Sequence, residues 1–437
     1  MFCSSDSPVF SPNLTRIDGW VDQPNTRGTL DIVWTSVFTI FICTFTLLCL
    51  NLPAANDTAW QMTARKLFWM SLAIAGPEFV LTAACGQLGT AQESIKAFTE
   101  LGYPQWTIRH GFFADMGGFL FVPRDSTPFP VTSKHLHWLV SRRYLSYPDV
   151  SPKEIWDKSK QDTVAKLISC FQIGYLMVQT LGRAGQRLAI TTLELSALAI
   201  VVCSIMTNIC WLRKPAGVLT PIRLYSELSL EEILKDAGVA DLPWKQTPLD
   251  FVDDLGPSWA LNVQPFMGMP VGPHERPMPR FGNDRLPNLN GRHETLLCFA
   301  TLVYAAIHLA GWNFEFPTRT EGILWRASSL FIFVNTAVFW LCETAAAWHR
   351  KGRWQRFFYR VLDPERLEEV ESARLQKLAN QEPKQLPLAW EFWTITPLAI
   401  TYAAARGYQI IEAFMGLRSL EPSAYLNVEW SNYIPHI

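Results

Sequence analysis

Long apolar stretches alternate with polar segments along the chain. Residues 32–56 contain no charged side chain, and the stretch 32–52 is almost wholly apolar. A bilayer hydrocarbon core is about 30 Å thick and needs about 20 helical residues to cross it. The stretch 32–52 therefore predicts a transmembrane helix, and residues 1–31 form a polar N-terminal segment in front of it.

A second apolar run, residues 67–88, is interrupted by Pro77 and Glu78. A proline inside a helix frees a backbone carbonyl, and a carboxylate in lipid is costly unless protein surrounds or pairs it. The run is either a kinked span or a re-entrant segment that returns to the side from which it came. The sequence leaves both alternatives open.

Further apolar runs predict the remaining membrane helices. A first hairpin follows within the membrane region 32–212, and a second hairpin lies within 293–345. The last region, 389–437, holds a short apolar run that we expect to continue as helix to Leu417, followed by a C-terminal tail. The predicted spans after the interrupted run are 167–182, 188–212, 295–314, 324–345 and 390–405. The pattern predicts an all-α, polytopic transmembrane helical bundle of six to seven spans with irregular cytosolic loops.

Three polar regions separate these spans: 89–162, 213–292 and 346–388. In the first, the Gly117–Gly118 pair within an apolar island favours a bend or a close contact over a regular helix. The second is rich in proline and predicts an irregular loop. It contains one short helix at 229–238, with Ser229 as N-cap and Gly238 as the stop.

The distribution of basic residues predicts the orientation. A basic cluster with no acidic residue directly follows the span 324–345 and consists of Arg350, Lys351, Arg353, Arg356 and Arg360. Such clusters mark cytosolic loops, so 346–388 is predicted to be cytosolic, and 89–162 and 213–292 lie on the same side. The N-terminus is then lumenal, and Asn13 in Asn13-Leu14-Thr15 is a candidate glycosylation site. The side of the C-terminus depends on whether 67–88 crosses.

Composition narrows the function classes. The chain of 437 residues is 49% hydrophobic and 18% charged, against about 25% charged in soluble proteins. Its net charge of −1 creates no field that would attract nucleic acid. The lipid bilayer is the partner that the composition predicts.

Cofactor and metal motifs are absent from the sequence. We find no Walker, Rossmann, HExxH or GxSxG pattern. His135 and His137 are alternate residues, which share a face only on a strand, and no nearby acid or cysteine completes a ligand set. The sequence predicts neither a cofactor nor a metal site.

Ionisable residues inside predicted spans are the candidate catalytic groups, because each is costly in lipid and therefore needs a reason to be there. Glu78, Glu194, His308 and Glu343 meet this criterion, and the first three are the candidate catalytic residues. A buried acid that keeps its proton can protonate an apolar substrate, and a histidine can return the proton. His110 and Asp115 join the list because they lie in a dense cluster of functional residue types, WTIRHGFFADMGG. The structural alternative is that each group pairs with a neighbouring helix and holds the bundle together.

Several motifs resemble those of a large, mostly uncharacterised multi-pass membrane protein family of filamentous fungi and mushrooms. They extend in order from Gly19 to Ile437 and include WTIRHGFFADMGGF, ITTLELSALAIVVCSIMTNICWLRKP, AAIHLAGWNFEFPTRTEGILWR and VEWSNYIPHI. The resemblance implies a fungal source and a helical membrane fold. It supplies no reaction and no catalytic residues, although an association with secondary-metabolite genes makes a biosynthetic role an expectation.

Two hypotheses of different classes follow. The first is a cofactor-independent enzyme, such as a cyclase, an isomerase or an epoxide-opening enzyme, that acts on a hydrophobic secondary-metabolite intermediate. The second is a non-enzymatic membrane transporter, sensor or scaffold. The endoplasmic reticulum is the expected membrane for either. Substitution of buried acids distinguishes them, because it abolishes an enzyme's activity without lowering the protein level.

Overall fold

The computed structural model describes residues 16–22, 27–46, 48–160, 163–241, 244, 246–252, 276–283, 292–350, 353–362, 366 and 389–430. These residues are mostly helical. In chain order the helices are α1 (Thr29–Thr46), α2 (Ala59–Ala75), α3 (Pro77–Glu100), α4 (Ile108–Asp115), α5 (Ser133–Ser141), α6 (Pro152–Asp157), α7 (Thr163–Gly185), α8 (Thr192–Cys210), α9 (Leu230–Asp236), α10 (Arg292–Leu309), α11 (Arg319–Arg350), α12 (Arg353–Leu362) and α13 (Ala389–Met415). The strands are β1 (Ile17–Asp18), β2 (Phe119–Val122), β3 (Phe129–Val131), β4 (Ile222–Tyr225) and β5 (Ser419–Leu420).

Four helical stretches in the described part of the chain are long and apolar enough to cross a membrane. They are Thr29–Thr46, Thr192–Cys210, His293–Asn313 and Arg319–Cys342. Membrane insertion is compatible with these four, and the predicted hairpins correspond to the pairs α7–α8 and α10–α11. The total of six to seven crossings, which would add α7 and α13, stays a prediction.

Helix α1 has the distribution of side chains expected for a lipid-facing helix. Its outer face exposes Trp34 (64%) and Phe41 (49%), whereas the hydroxyl-bearing Ser36 and Thr39 are completely buried. In water this arrangement would be reversed, because apolar side chains would be buried and polar ones exposed. This exposed apolar surface is compatible with a membrane-facing exterior.

Helices α2 and α3 form a broken pair. They meet at Gly76, where the chain direction bends by 110°, as in a broken span or a re-entrant loop. Pro77 is the first residue of α3 and provides no N–H, so the helix cannot continue through it. The interruption predicted at Pro77 and Glu78 is confirmed.

The two ends of the described chain lie together at one end of the bundle. Strand β1 pairs antiparallel with β5, with Ile17 opposite Leu420 and Asp18 opposite Ser419. Arg27 forms a buried ion pair with Glu194 at the start of α8. The start of α1, the start of α8 and the segment after α13 are therefore joined here.

The opposite end carries a small α/β unit built from α4–α6, β2–β4 and α9. Strand β2 lies between β3, to which it is antiparallel, and β4, to which it is parallel. Its core is largely aromatic, with Phe113, Phe119, Phe121 and Phe129 all completely buried. The two polar regions that contribute β2 and β4 are therefore packed against each other.

One expectation about these polar regions was wrong, and the local features predicted at residues 229–238 and at Gly117 are confirmed. The described parts of 89–162 and 213–292 do not form irregular loops but a packed unit with a sheet, which the all-α prediction did not include. Helix α9 begins after Ser229 in a capping box, and Gly238 follows it at a φ of +68°. The bend at Gly117 is also present, with a φ of +86°.

Candidate functional site

The break between α2 and α3 creates an unusual backbone site inside the bundle. Gly76 lies so close to α3 that a Cβ atom there would be 2.7 Å from the ring of Phe79. Glycine alone fits this approach without a shift of its neighbours. The break leaves the carbonyl groups of Ile74 and Ala75 at the end of α2 without partners from their own helix.

Arg406 of α13 binds these carbonyl groups. Its Nε lies 3.2 Å from the oxygen of Ala75, and one Nη lies 3.4 Å from the oxygen of Ile74. The side chain is only 2% exposed. A cation at a helix C-terminus is stabilised by the helix dipole as well as by hydrogen bonds. Arg406 therefore caps the broken end of α2.

His308 is held next to Arg406 in a defined tautomer. The Nη1 of Arg406 lies 2.7 Å from the Nε2 of His308. Arginine can only donate, so this nitrogen of His308 must accept and the proton of the neutral ring is on Nδ1. The Nδ1 lies 3.3 Å from the carbonyl oxygen of Tyr304, to which it donates.

Gln409 and Ser329 extend the cluster towards α11. Arg406 donates to Oε1 of Gln409 at 3.2 Å, and Nε2 of Gln409 donates to Oγ of Ser329 at 3.1 Å. Ser329 is ten residues after Arg319, which places it about 15 Å along α11. Ser329 therefore lies close to the middle of the candidate span Arg319–Cys342.

Glu78 and two tyrosines face this cluster. Tyr402 and Arg406 act electrostatically on the carboxyl group of Glu78, and Tyr402 also interacts with Tyr304. The hydroxyl of Tyr402 is close to both the carboxyl group of Glu78 and the hydroxyl of Tyr304. All three oxygens (Oε2 of Glu78 and the two hydroxyls) are nevertheless enclosed, and none makes a hydrogen bond of regular geometry within the described residues. Enclosed polar atoms are usually satisfied, so three neighbouring exceptions require an explanation. We refer to Glu78, Tyr304, His308, Tyr402 and Arg406 as the Glu78 cluster.

The cluster lies close to the outer surface of the bundle. Glu78 as a residue is half-buried, although its Oε2 atom is enclosed. The adjacent Phe79 is 48% exposed, and its ring packs edge-on against Tyr402 with 6.5 Å between the centroids. Phe79 therefore connects the lipid-facing surface with the interior of the cluster.

A small cavity lies on the other side of the break. Its volume is about 20 Å³, and its lining comes from α1, from the break itself and from α8. A cavity of this size accommodates about one water molecule. Its lining residues are Cys43, Thr44, Leu48, Ala73, Pro77, Val80, Ser204, Thr207 and Trp211.

The structure places Glu194 in a different environment. Thr191 and Glu194 form a capping box at the start of α8, in which Oε2 accepts from the backbone N–H of Thr191 at 3.0 Å. The other carboxylate oxygen pairs with Arg27. Arg183 binds the backbone oxygens of Ala189, Ser423 and other residues of the last segment nearby. These contacts join the C-terminal segment to the bundle.

His110 and Asp115 lie on α4 in the α/β unit. His110 is 1% exposed, accepts from the N–H of Thr107 at its Nδ1 and lies 2.7 Å from the oxygen of Val150 at its Nε2. Burial lowers the pKa of His110 below its usual value. Asp115 accepts from the N–H of Ser133 at 2.9 Å. Both side chains contact backbone groups that fix the unit.

Lys214 lies where the α/β unit meets the membrane helices. It is 1% exposed, and its Nζ donates to the oxygen of Cys49 at 2.6 Å and to Oε1 of Gln87 at 2.8 Å. The indole N–H of Trp211 donates to the same Gln87 oxygen at 2.9 Å. Burial lowers the pKa of Lys214 to about 8.

Of the five sequence candidates, the structure brings together only Glu78 and His308. Glu194 lies at the end of the bundle that holds the termini, and His110 and Asp115 lie in the α/β unit. Asn13 lies outside the described residues. Arg406 is not among the sequence candidates, although a lone arginine inside a long apolar helical run is a signal that identifies such a residue.

No group of three His, Cys, Asp or Glu side chains that could hold a metal ion is present in the described ranges. His135 and His137 both lie on α5. His135 takes part in the capping box of that helix, and His137 packs edge-on against Phe98 at 5.5 Å between ring centroids.

The chain belongs to the family described as "Family of unknown function (DUF8562)". The family model matches residues 5–237 and 282–437, which together are most of the chain. No curated protein matches the sequence. No solved structure matches it either.

Proposed function

We propose that this member of the family is an integral membrane enzyme that catalyses a redox-neutral cyclisation, isomerisation or epoxide opening of a hydrophobic small molecule. The observation that carries the proposal is the group of three enclosed oxygens of Glu78, Tyr304 and Tyr402 beside Arg406, which lie close together but make no hydrogen bond of regular geometry among the described residues. Polar atoms without good hydrogen bonds inside a membrane bundle lower the stability of the fold, and a catalytic role explains why these residues are retained.

Glu78 is the proposed acid. As the neutral carboxylic acid it transfers its proton to an alkene carbon or an epoxide oxygen of the substrate, and a cation develops on the substrate. The carboxylate that remains then removes a proton from the rearranged cation, so the product has the same mass as the substrate and Glu78 is restored. The reaction needs neither an oxidant nor a cofactor.

The tyrosines and Arg406 have supporting roles. The aromatic faces of Tyr304 and Tyr402 stabilise a developing cation more than they stabilise the neutral substrate. Arg406 carries a fixed positive charge and is turned towards the carbonyl groups of α2 and the ring of His308. Nε2 of His308 accepts a hydrogen bond from Arg406 and is therefore not available to take up a substrate proton. We therefore assign His308 the role of positioning Arg406. Glu194, His110 and Asp115 take no part in this mechanism.

The position of the cluster favours a substrate that is dissolved in the bilayer. Phe79 is exposed towards lipid and contacts Tyr402. Displacement of this one ring would open a lateral path from the bilayer to Glu78. An aqueous substrate would instead need a polar entrance, so the site fits an apolar molecule, such as an intermediate of secondary metabolism in a fungal host.

The proposed topology has six crossings, formed by α1, α7, α8, α10, α11 and α13, and a re-entrant pair α2–α3. Both termini are then lumenal in the endoplasmic reticulum, which is consistent with the pairing of β1 and β5. The α/β unit and the basic helix α12 lie in the cytosol, and Asn13 carries a glycan. A glycosidase shift that Asn13→Gln abolishes would support this orientation; a glycan-free wild-type chain would contradict it.

The test of the activity is mass spectrometry of lipid-soluble extracts from strains with and without the gene. The proposal expects one compound to accumulate and one compound of equal mass to disappear when the gene is deleted. Unchanged extracts would contradict the proposal.

A transporter is the second candidate, and one observation favours it. Broken helices with ionisable side chains near mid-depth form the ion and substrate sites of many transporters. The 110° bend at Gly76 is such a break, and the ionisable Glu78 lies two residues after it. Purified protein in vesicles distinguishes the two functions. A transporter moves a solute or protons across the vesicle membrane without changing it, whereas the enzyme converts its substrate with no net movement.

A further inference from the structure

Helix α12, Arg353–Leu362, has a sequence pattern that differs from every neighbouring helix. At 100° per residue, the basic residues Arg353, Arg356 and Arg360 share one narrow face. The apolar residues Trp354, Phe357, Phe358 and Val361 occupy an adjacent arc, whose centre lies about 120° from that of the arginines. Such a basic, strongly amphipathic helix is typical of segments that lie in the interface of a membrane.

The apolar side of α12 is not covered by the described protein. Trp354 is 39% exposed, Phe357 57%, Phe358 51% and Val361 66%. Four large apolar side chains on one ten-residue helix would be unfavourable in water. Their exposure requires a partner that is apolar on this side of the helix.

The chain holds α12 at the level of the membrane surface. The uncharged stretch 327–342 of α11 is followed by Glu343 in the sequence, and the indole N–H of Trp354 donates to the oxygen of Ala345 at 3.4 Å. Ala345 is three residues after Cys342, which is about 5 Å along the helix. The first turn of α12 is therefore within about one helical turn of the end of the uncharged stretch.

A second aromatic residue marks the same level. The side-chain amide of Asn335 donates to the oxygen of Leu398 at 2.8 Å, and Gln409 contacts Ser329, so α11 and α13 run antiparallel. Trp393, five residues before Leu398, then lies towards the Cys342 end, and it is 69% exposed. Exposed tryptophan at this depth is characteristic of the membrane–water interface.

We propose that α12 is an interfacial helix that binds acidic phospholipid headgroups. Its apolar arc faces the acyl-chain boundary, and the arc of the helix that carries positions 353, 356 and 360 faces the phosphates and carboxylates of the adjacent leaflet. The occupant follows from charge complementarity, since the segment 350–360 carries five basic residues and no acid. The bilayer also satisfies the four exposed apolar side chains, which an acidic soluble protein would not.

The experiment uses the full-length protein, purified in a mild detergent. The protein is incubated with equal amounts of phosphatidylcholine and phosphatidylserine and purified again, and the retained lipids are quantified by mass spectrometry. We expect the wild type to retain phosphatidylserine in preference to phosphatidylcholine. One basic residue near an anionic surface changes binding about fivefold, so the variant R353Q/R356Q/R360Q should lower the preference by at least about fivefold.

Two further variants and a salt series complete the test. The variant R353K/R356K/R360K keeps the charge and should keep the preference. The matched variant K96Q/R142Q/K153Q removes three exposed basic residues from outside α12 and should also keep it. Raising the salt from about 50 mM to about 500 mM should reduce the wild-type preference. An unchanged preference in R353Q/R356Q/R360Q would overturn the proposal. If that variant does not fold, a salt-independent preference in the wild type would overturn it.

Discussion

The Nη1 of Arg406 lies 2.7 Å from the Nε2 of His308, and the same guanidinium binds the last carbonyl groups of α2. One arginine therefore connects α13, α10 and the broken helix pair. An unpaired charge at this depth would cost several kcal/mol. The contacts of Arg406 explain how the bundle accommodates both a cation and a helix break.

Arg406→Gln should strongly destabilise the protein. It leaves the oxygens of Ile74 and Ala75 and the Nε2 of His308 without their donor, and such losses cost about 3–5 kcal/mol. The melting temperature in detergent measures the effect. Arg418→Gln is the matched control, because its partner Glu321 is near the surface and the pair is 40% and 18% exposed; a cost below about 1 kcal/mol is expected there. Equal effects of the two substitutions would contradict the assignment.

Glu194→Gln should lower stability through Arg27. A glutamine at this position can maintain the capping box, but the charge of the buried Arg27 loses its partner. We expect a loss of about 3 kcal/mol or more, and a partial recovery in the double variant Arg27→Met/Glu194→Gln, in which the charge of Arg27 is removed together with its partner. The melting temperatures of Glu194→Gln, Arg27→Met and the double variant, measured side by side, test this expectation. A double variant that is less stable than Glu194→Gln by the full effect of Arg27→Met would show that the pair is not coupled.

Lys214 should make stability depend on pH at alkaline values. Its pKa in the folded protein is about 8, below the usual value of 10.5. Between these values the unfolded chain binds more protons than the folded one, so the free energy of unfolding rises with pH. Below pH 8 both states are protonated and this contribution is constant. The whole change is about 3 kcal/mol.

The measurement for Lys214 is the melting temperature of the wild type and of Lys214→Met between pH 7 and pH 11. The difference between the two should shift in favour of the wild type as the pH rises through 8. Lys96→Met, which replaces an exposed lysine, serves as control and should differ from the wild type by a constant amount. A constant difference for Lys214→Met as well would refute the burial of the ammonium group.

Cys85 of α3 and Cys210 of α8 should form a disulfide on mild oxidation. Their sulfur atoms lie 3.5 Å apart, close enough to form the bond of about 2.05 Å after small rotations. Two copper(II)–phenanthroline complexes accept one electron each and become copper(I), and the two thiols release their protons as the S–S bond forms. Mass spectrometry of unreduced peptides should detect the linked pair in the wild type and not in Cys85→Ser. Oxidation that links Cys85 to other cysteines instead would contradict the packing of α3 on α8.

Local sequence signals predicted the parts of the fold that are local in origin. The capping box at Ser229 and the interruption at Pro77 each depend on residues a few positions apart, and both are present in the structure. The parallel pairing of β2 with β4 joins residues about 100 positions apart, such as Phe119 and Ile222. Short strands within proline-rich segments give too weak a periodic signal for such a pairing to be predicted.

The candidate site was also predictable from the sequence only as far as local signals allow. Glu78 and His308 stand out as ionisable residues in apolar runs, and they do share one cluster. Which acid is held by an ion pair and which is left unsatisfied depends on tertiary contacts, as the difference between Glu194 and Glu78 shows. Sequence spacing does not contain that information, because the partners Arg27 and Arg406 are distant along the chain.

The most direct test of the proposed activity is Glu78→Gln in a strain that lacks the native gene. The variant keeps the size of the side chain but has no acidic proton to transfer. Glu315→Gln, which replaces an exposed acid in the loop after α10, is the matched control. At equal protein levels, we expect Glu78→Gln to accumulate the same precursor as the deletion strain and Glu315→Gln to restore the product of equal mass. Restoration of the product by Glu78→Gln would contradict the central claim.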